Sequence, residues 1–390
     1  QNTWTLNQWY DQDVAGNVDY TAPRLLYTVG YNDSGELGQG LSYGDKRSSP
    51  VQIPGTNWKV VHSGNLNDGY VGAIKTDGEM WNWGRNENGE LGINQGGSPT
   101  KKNSPNQVPG TTWSQVTTLG RQCGMVATKT DGTAWAWGHN NEGVLGLNQS
   151  PSVKISSPTQ IGSDTTWPTE AYKMDGSGYR CLAIKTDGTL WTWGNGSNQG
   201  QLGQNERVDY SSPVQVGTDT TWKYVNINED GAWATKTDGT LWGWGYNVTG
   251  ALGHNNTTAY SSPVQVGSDT TWDYISLNWN MGMATKTDGT LWAMGSNSPG
   301  ALGQNNAVQY SSPTQLAGTN WTGPVNADQT VFAPKTDGTI WGWGANTNGR
   351  LGTIQGPSQI DYLSSPIQIP GGYAFAVTGS PGLTAFMKIQ

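Results

Sequence analysis

The chain has 390 residues, long for one domain, yet only 34% are hydrophobic and 3 are Phe, against 21 Trp, 16 Tyr and 56 Gly. Its core therefore rests on aromatic pegs and close backbone contacts, which excludes a Leu-rich helical fold. A net charge of −8, a pI near 4.8 and dispersed Lys and Arg argue against nucleic acid as a partner, because phosphate binding needs a basic surface.

In chain order, residues 1–24, with Trp4, Trp9 and Tyr10, read as an N-terminal extension that packs on the remainder or on a partner. The start at Gln1 is compatible with a processed terminus and favours an extracellular or virion setting. No stretch of about 18 apolar residues follows, so no membrane insertion by a helix is expected.

From residue 25 onward the phrase aromatic-x-x-Gly-x-Asn-x-x-Gly-x-Leu-Gly recurs seven times, anchored on Gly30, Gly84, Gly138, Gly194, Gly245, Gly295 and Gly344. A period near 50 residues with about four short strands per unit is the signature of a propeller blade. In one unit, Trp222–Ile227 alternates as a first strand, Ala234–Thr237 forms a second and Thr240–Trp244 a third. The Asp238-Gly239 turn joins the last two, since Gly accepts positive φ in a tight hairpin. The Thr-Asp-Gly tripeptide occurs six times in this role. Segments such as Ser211–Val216 supply the fourth strand, and their Pro suits an outermost edge.

Trp191 and Trp193 lie two apart and share a face, which is expected to pack against the next blade. The chain enters the repeat just after a Thr-Asp-Gly turn and leaves it just before one. The last blade should therefore combine about residues 370–390, as inner strands, with 25–54, as outer strands, removing free sheet edges. The expected fold is all-β, a seven-bladed β-propeller of four-stranded antiparallel blades over residues 25–390, its ring closed by N- and C-terminal strands sharing one blade.

These motifs, Trp-Gly-x-Asn-x-x-Gly-x-Leu-Gly, Ser-Pro-x-Gln-Val and the Asp-Gly hairpin, resemble the regulator of chromosome condensation repeat family, a seven-bladed propeller. The likeness covers about residues 25–390. The Gly-x-x-His usual before the family's second strand is replaced here by Gly69-Tyr-Val-Gly72, Gly124-Met-Val-Ala127 and Gly178-Tyr-Arg-Cys181. No copy of the Gly-Trp-Arg-His-Thr motif of the family's light-sensing branch is present. Within the family the pattern is most similar to the low-charge, Asn/Thr/Ser-rich bacterial and bacteriophage branch, and that resemblance implies action by binding.

A search for chemistry returns no catalytic, metal or cofactor site. His62, His139 and His254 fall at different offsets of three units, and Asp11 with Asp13 makes too small a calcium set. The recurring Asp164, Asp219 and Asp269 read as Asx turns. Cys123 and Cys181 read as buried free thiols.

Repeated positions serve architecture, whereas loops that differ between units are free to specify a partner. First-to-second and third-to-fourth connections emerge on one face of a propeller and carry this variety. The candidate partner-binding residues there are Tyr70, Arg121, Gln122, Tyr179, Arg180, Glu229, Asp230, Trp233, Trp279 and Asp328. Trp233 and Trp279 have the alternative role of plugging the central channel. The expectation is a non-enzymatic binding or structural propeller, recognising protein or glycan on a virion or a bacterial surface, as part of a larger assembly. The alternatives are a secreted inhibitor or soluble interaction scaffold and, third, an enzyme with an unrecognised site.

Overall fold

A computed structural model describes residues 23–389 apart from 64–68, 98–99, 197–198, 279, 299, 324, 328, 347–350, 352–361, 372–374 and 379–382. The sequence-derived extension thus lies almost wholly outside the described residues, as do Trp279 and Asp328.

Seven four-stranded antiparallel sheets follow one another. Blade 1 holds Trp58–Ser63, Tyr70–Lys75, Met80–Gly84 and Lys102–Gln107; blade 2 holds Trp113–Thr118, Gly124–Lys129, Ala134–His139 and Lys154–Gln160. Blade 3 holds Met174–Ser177, Arg180–Ile184, Leu190–Gly194 and Tyr210–Gln215; blade 4 holds Trp222–Ile227, Gly231–Lys236, Leu241–Gly245 and Tyr260–Gln265. Blade 5 holds Trp272–Asn278, Met281–Lys286, Leu291–Gly295 and Tyr310–Gln315; blade 6 holds Val325–Ala327, Thr330–Pro334, Ile340–Ala345 and Tyr362–Gln368. Blade 7 joins Phe375–Thr378 and Leu383–Ile389 to Arg24–Gly30 and Arg47–Gln52. Its splice runs unbroken from Arg24 opposite Ile389 to Gly30 opposite Leu383. The first strand of each blade touches the first strand of the next, and blade 7 returns to blade 1, so these strands form the inner ring.

Blade 4 shows why these residues make strands. Trp222, Val225 and Ile227 are buried, and the bulge between Trp222 and Tyr224 brings them to one face despite their uneven spacing. The Ser-Ser-Pro segment occupies the outermost strand, where a missing N–H leaves no ladder bond unmade.

Contacts between blades reverse one expectation. The Trp pair packs on the preceding blade, not the next. Trp193 is fully buried among Val144, Leu145 and Ile161 of blade 2, and its Nε1 donates to the Val144 carbonyl at 2.8 Å. Trp83, Trp137, Trp244 and Trp343 make the same bond to Glu36, Glu90, Gln201 and Ala301. The Leu-Gly of the motif follows from this peg: a Cβ on Gly203 would lie 2.9 Å from Trp244 Nε1, at a φ of +72°. The motif Asn closes the same loop, Asn247 Oδ1 accepting the Leu252 N–H at 3.0 Å, with equivalents at Asn32, Asn86, Asn140, Asn297 and Asn346. The fourth copy departs. Gly194 and Gly203 stand nine apart where Gly245 and Gly253 stand eight apart, so Asn195 falls out of register.

Candidate functional site

The two faces differ in how their polar groups are used. On the face of the Thr-Asp-Gly turns, Asp238 Oδ1 accepts from Thr240 N and Oγ1, and Thr240 Oγ1 accepts from Trp242 Nε1 at 2.9 Å. Asp131, Asp187, Asp288 and Asp337 repeat the arrangement. Asp164, Asp219 and Asp269 form the expected Asx turns with Thr166, Thr221 and Thr271. Their outer oxygens hold Lys185, Lys236 and Lys286. Each of these lysines lies over two indoles; Lys236 sits 3.8 Å from the Trp242 ring centroid and 4.7 Å from that of Trp222. Burial alone would raise Asp219, but its bonds to Lys236 and Thr221 hold it down to about 2.

On the opposite face, loops of blades 1 to 4 enclose two adjoining depressions of about 530 and 610 Å³. They share Arg121 and Tyr179. Arg121, in the blade 2 loop, reaches over blade 3 to grip Glu229 of blade 4 through Nε at 2.6 Å and a terminal nitrogen at 2.5 Å. Its guanidinium lies 5.4 Å from the Tyr179 ring centroid. Arg121 stays half exposed while Glu229 is buried, and the bonds to Glu229 raise the Arg121 pKa.

Arg180 is buried and pins three loops: its Nε and one terminal nitrogen bond Asn195, and the other terminal nitrogen bonds the Gly178 and Glu229 carbonyls at 2.9 and 2.8 Å. Burial lowers its pKa to about 10. The extra residue in the fourth motif copy thus turns Asn195 into a bracket for Arg180. Asp230 beside it has no hydrogen bond or ion pair through its carboxyl among the described residues, and burial, then Glu229, push its pKa up to about 6, against Arg180 and Arg121.

Backbone strain gathers at the same place. Thirteen non-glycine residues have positive φ among those described, and seven are Asn, which tolerates it. The other six are Arg121, Gln122, Glu142, Ser152, Tyr172 and Tyr179. Four of these six line the depressions.

The structure therefore brings Arg121, Gln122, Tyr179, Arg180, Glu229 and Asp230 together and removes two candidates from the surface. Tyr70 is buried, its hydroxyl donating to the Gly124 carbonyl at 3.1 Å as a strut between blades 1 and 2. Trp233 is buried in the blade 4–5 interface, where Gly282 makes room: a Cβ there would meet the indole at 2.1 Å. It is interblade core, not an exposed anchor. A strand position two residues past Gly231 signals that role, because it points sideways into a neighbour.

Sequence reasoning missed Asn141, Glu142, Gln199 and Tyr246; it counted third-to-fourth loops on the varied face but singled out the longer stretches 93–102 and 147–155 instead of these residues. It also missed Tyr172, Tyr224 and Tyr274, which converge from blades 3 to 5 at the opposite mouth with ring centroids 5.5 to 5.9 Å apart. The 56-residue spacing of the third unit was the available signal for irregularity there.

Cys123 and Cys181 are buried free thiols in one apolar cluster. Among the described residues no group of three or more His, Cys, Asp or Glu is placed to hold a metal ion, and no helix is long and apolar enough to cross a membrane.

Residues 25–380 match the family model described as RCC1-like domain. The chain belongs to the RCC1-like domain family. The ultraviolet-B receptor UVR8 of Arabidopsis thaliana is 28% identical over 232 residues, 58% of this chain and 50% of the receptor. The regulator of chromosome condensation of Mus musculus is 29% identical over 190 residues, 47% of this chain and 42% of that protein. The chain spans about half the length of the curated relatives it matches, and these relatives are eukaryotic. Among solved structures, Prp20p of Saccharomyces cerevisiae, described with its binding properties to Gsp1p and histones, superposes with a TM-score of 0.78 at 18% identity, covering 95% of this chain and 92% of that one. Human WBSCR16 also gives 0.78, at 16% identity over 94% and 98%. At these identities the likeness carries the fold alone.

Proposed function

We propose that this propeller is a non-enzymatic binding module whose contact surface is the trough across blades 1 to 4. One observation carries the reading: side chains that break the repeat, strained left-handed backbone and two open depressions coincide at Arg121, Tyr179 and Glu142. Strain of about 1–3 kcal/mol per residue persists only where surrounding structure enforces it, and it concentrates at functional sites. Protein binding by an RCC1-like relative, Prp20p, agrees with a binding role. The low charge and Asn/Thr/Ser-rich repeats support a virion or cell-surface setting within this reading.

A pair of multi-site variants tests it. Asn141→Arg, Glu142→Arg and Gln199→Arg crowd the trough, whereas Ser163→Arg, Thr218→Arg and Ser268→Arg place the same bulk on exposed turns of the opposite face. In a whole-cell or particle binding assay the first set should abolish association and the second should leave it intact. The reverse result would place the contact surface on the repeated turns.

A further inference from the structure

We infer that the trough takes an uncharged oligosaccharide, an assignment that rests on the binding-module reading above. Its cations are already engaged. Arg121 is committed to Glu229, Arg180 to carbonyl and amide oxygens, and Arg85 to Glu87 and Glu90 at 2.5 and 3.6 Å. The lining holds three arginines, Arg85, Arg121 and Arg180, against the carboxylates Glu142, Glu229 and Asp230, with Glu87 and Glu90 beside Arg85. With every arginine paired or bonded and no cation to spare, the trough has no field to attract an acidic polymer.

What the trough offers instead is a row of polar heads with no hydrogen-bond partner among the described residues: the amides of Asn141 and Gln199, the carboxyls of Glu142 and Asp230, the Tyr246 hydroxyl and the His139 ring. Burial, with Lys154 nearby, lowers the His139 pKa, so its ring is neutral at pH 7 and presents one donor and one acceptor. Mixed donors and acceptors on planar side chains, with tyrosines beside them, match a ligand dense in hydroxyl groups and carrying C–H faces. Both lobes fall in the range of about 300–1,000 Å³ usual for small-ligand sites. Because they meet at Tyr179 and Arg121, the ligand is a chain of several sugar units laid along the loops, not one ring in a closed pocket.

The test presents the full 390-residue protein to an array of neutral oligosaccharides of glucose, galactose, mannose and N-acetylglucosamine alongside sulfated and sialylated ones, followed by calorimetric titration of the sugars retained. Retention of a neutral oligosaccharide is expected, with affinity varying less than about twofold between low and high salt, since no ion pair is formed. Asn141→Ala with Gln199→Ala should weaken it about tenfold or more at unchanged melting temperature, because each head loses a bond and neither supports the fold. Binding restricted to sulfated or sialylated sugars, with steep salt dependence, would overturn the inference. If neutral sugars are ignored while the trough variants still lose a protein partner, the glycan assignment fails and the binding-module reading stands. If sugar binding is lost only in the Ser163, Thr218 and Ser268 variants, both fail.

Discussion

The two faces of the ring are built from one repeat and yet behave as opposites. On the face of the Thr-Asp-Gly turns, Asp, Thr, Lys and Trp are bonded to one another in nearly every blade, leaving little for a partner to use. On the other face the third and fourth units depart from the pattern, and charged groups, left-handed side chains and unpaired heads collect where they do. Bonds repeated from unit to unit identify architecture, even though the indoles of Trp167, Trp222, Trp272 and Trp321 keep a buried Nε1 without a partner among the described residues, and solvent-facing heads left unpaired identify the surface available for recognition.

The largest effect should come from the splice that both faces depend on. Deleting residues 383–390 removes the strand that pairs all along Arg24–Gly30 and opens two sheet edges. Cooperative unfolding should be lost for the whole ring, as seen by calorimetry; a melt like that of the intact chain would refute closure by blade 7. Next comes the interblade peg. Trp193→Ala should cost about 3–5 kcal/mol in denaturant unfolding, through the cavity and the lost bond to Val144. Lys236→Ala, which strips a cation from two rings and leaves Asp219 without its partner, should cost about 1–2 kcal/mol.

Asp230→Asn sharpens the comparison through pH. Burial raises the Asp230 pKa to about 6 from 3.8, so between those values the folded protein holds a proton that the unfolded chain has released. Its contribution to stability is therefore favourable at low pH and declines as pH rises through about 6. The Asn variant should melt above the parent at pH 7, with the gap closing near pH 4. A gap that widens on acidification would show that Asp230 stabilises the fold as a carboxylate. The smallest effect on stability, and the largest on binding, belongs to Gln199→Ala, whose melting temperature should match the parent.

The ring, its seven units, the splice and the Asx turns were legible because each is set by local spacing: Asp-Gly at hairpins, the phrase ending in Leu-Gly once per unit, Pro at the edge. The direction in which the Trp pair packs was not, since period-two alternation names a face without saying which neighbour covers it. Tyr70 and Trp233 look like surface aromatics because they adjoin variable loops, but a strand residue belongs to the blade interface even one position past the turn. Arg121 and Glu229 lie 108 residues apart, and only ring geometry places them in contact. The one-residue insertion before Gly203 was readable, but its consequence, a bracket around Arg180, depends on three loops meeting.

The account turns on recognition residing where repetition fails, and site-directed photo-crosslinking measures that most directly. A photoreactive side chain placed at Glu142, on the trough, is compared with one at Ser268, on the repeated turns, both exposed and outside the folded core. Illumination of each variant with the binding target, a cell fraction or a retained oligosaccharide, should give an adduct from position 142 and none from position 268. An adduct from position 268 alone would contradict the account and place recognition on the turns.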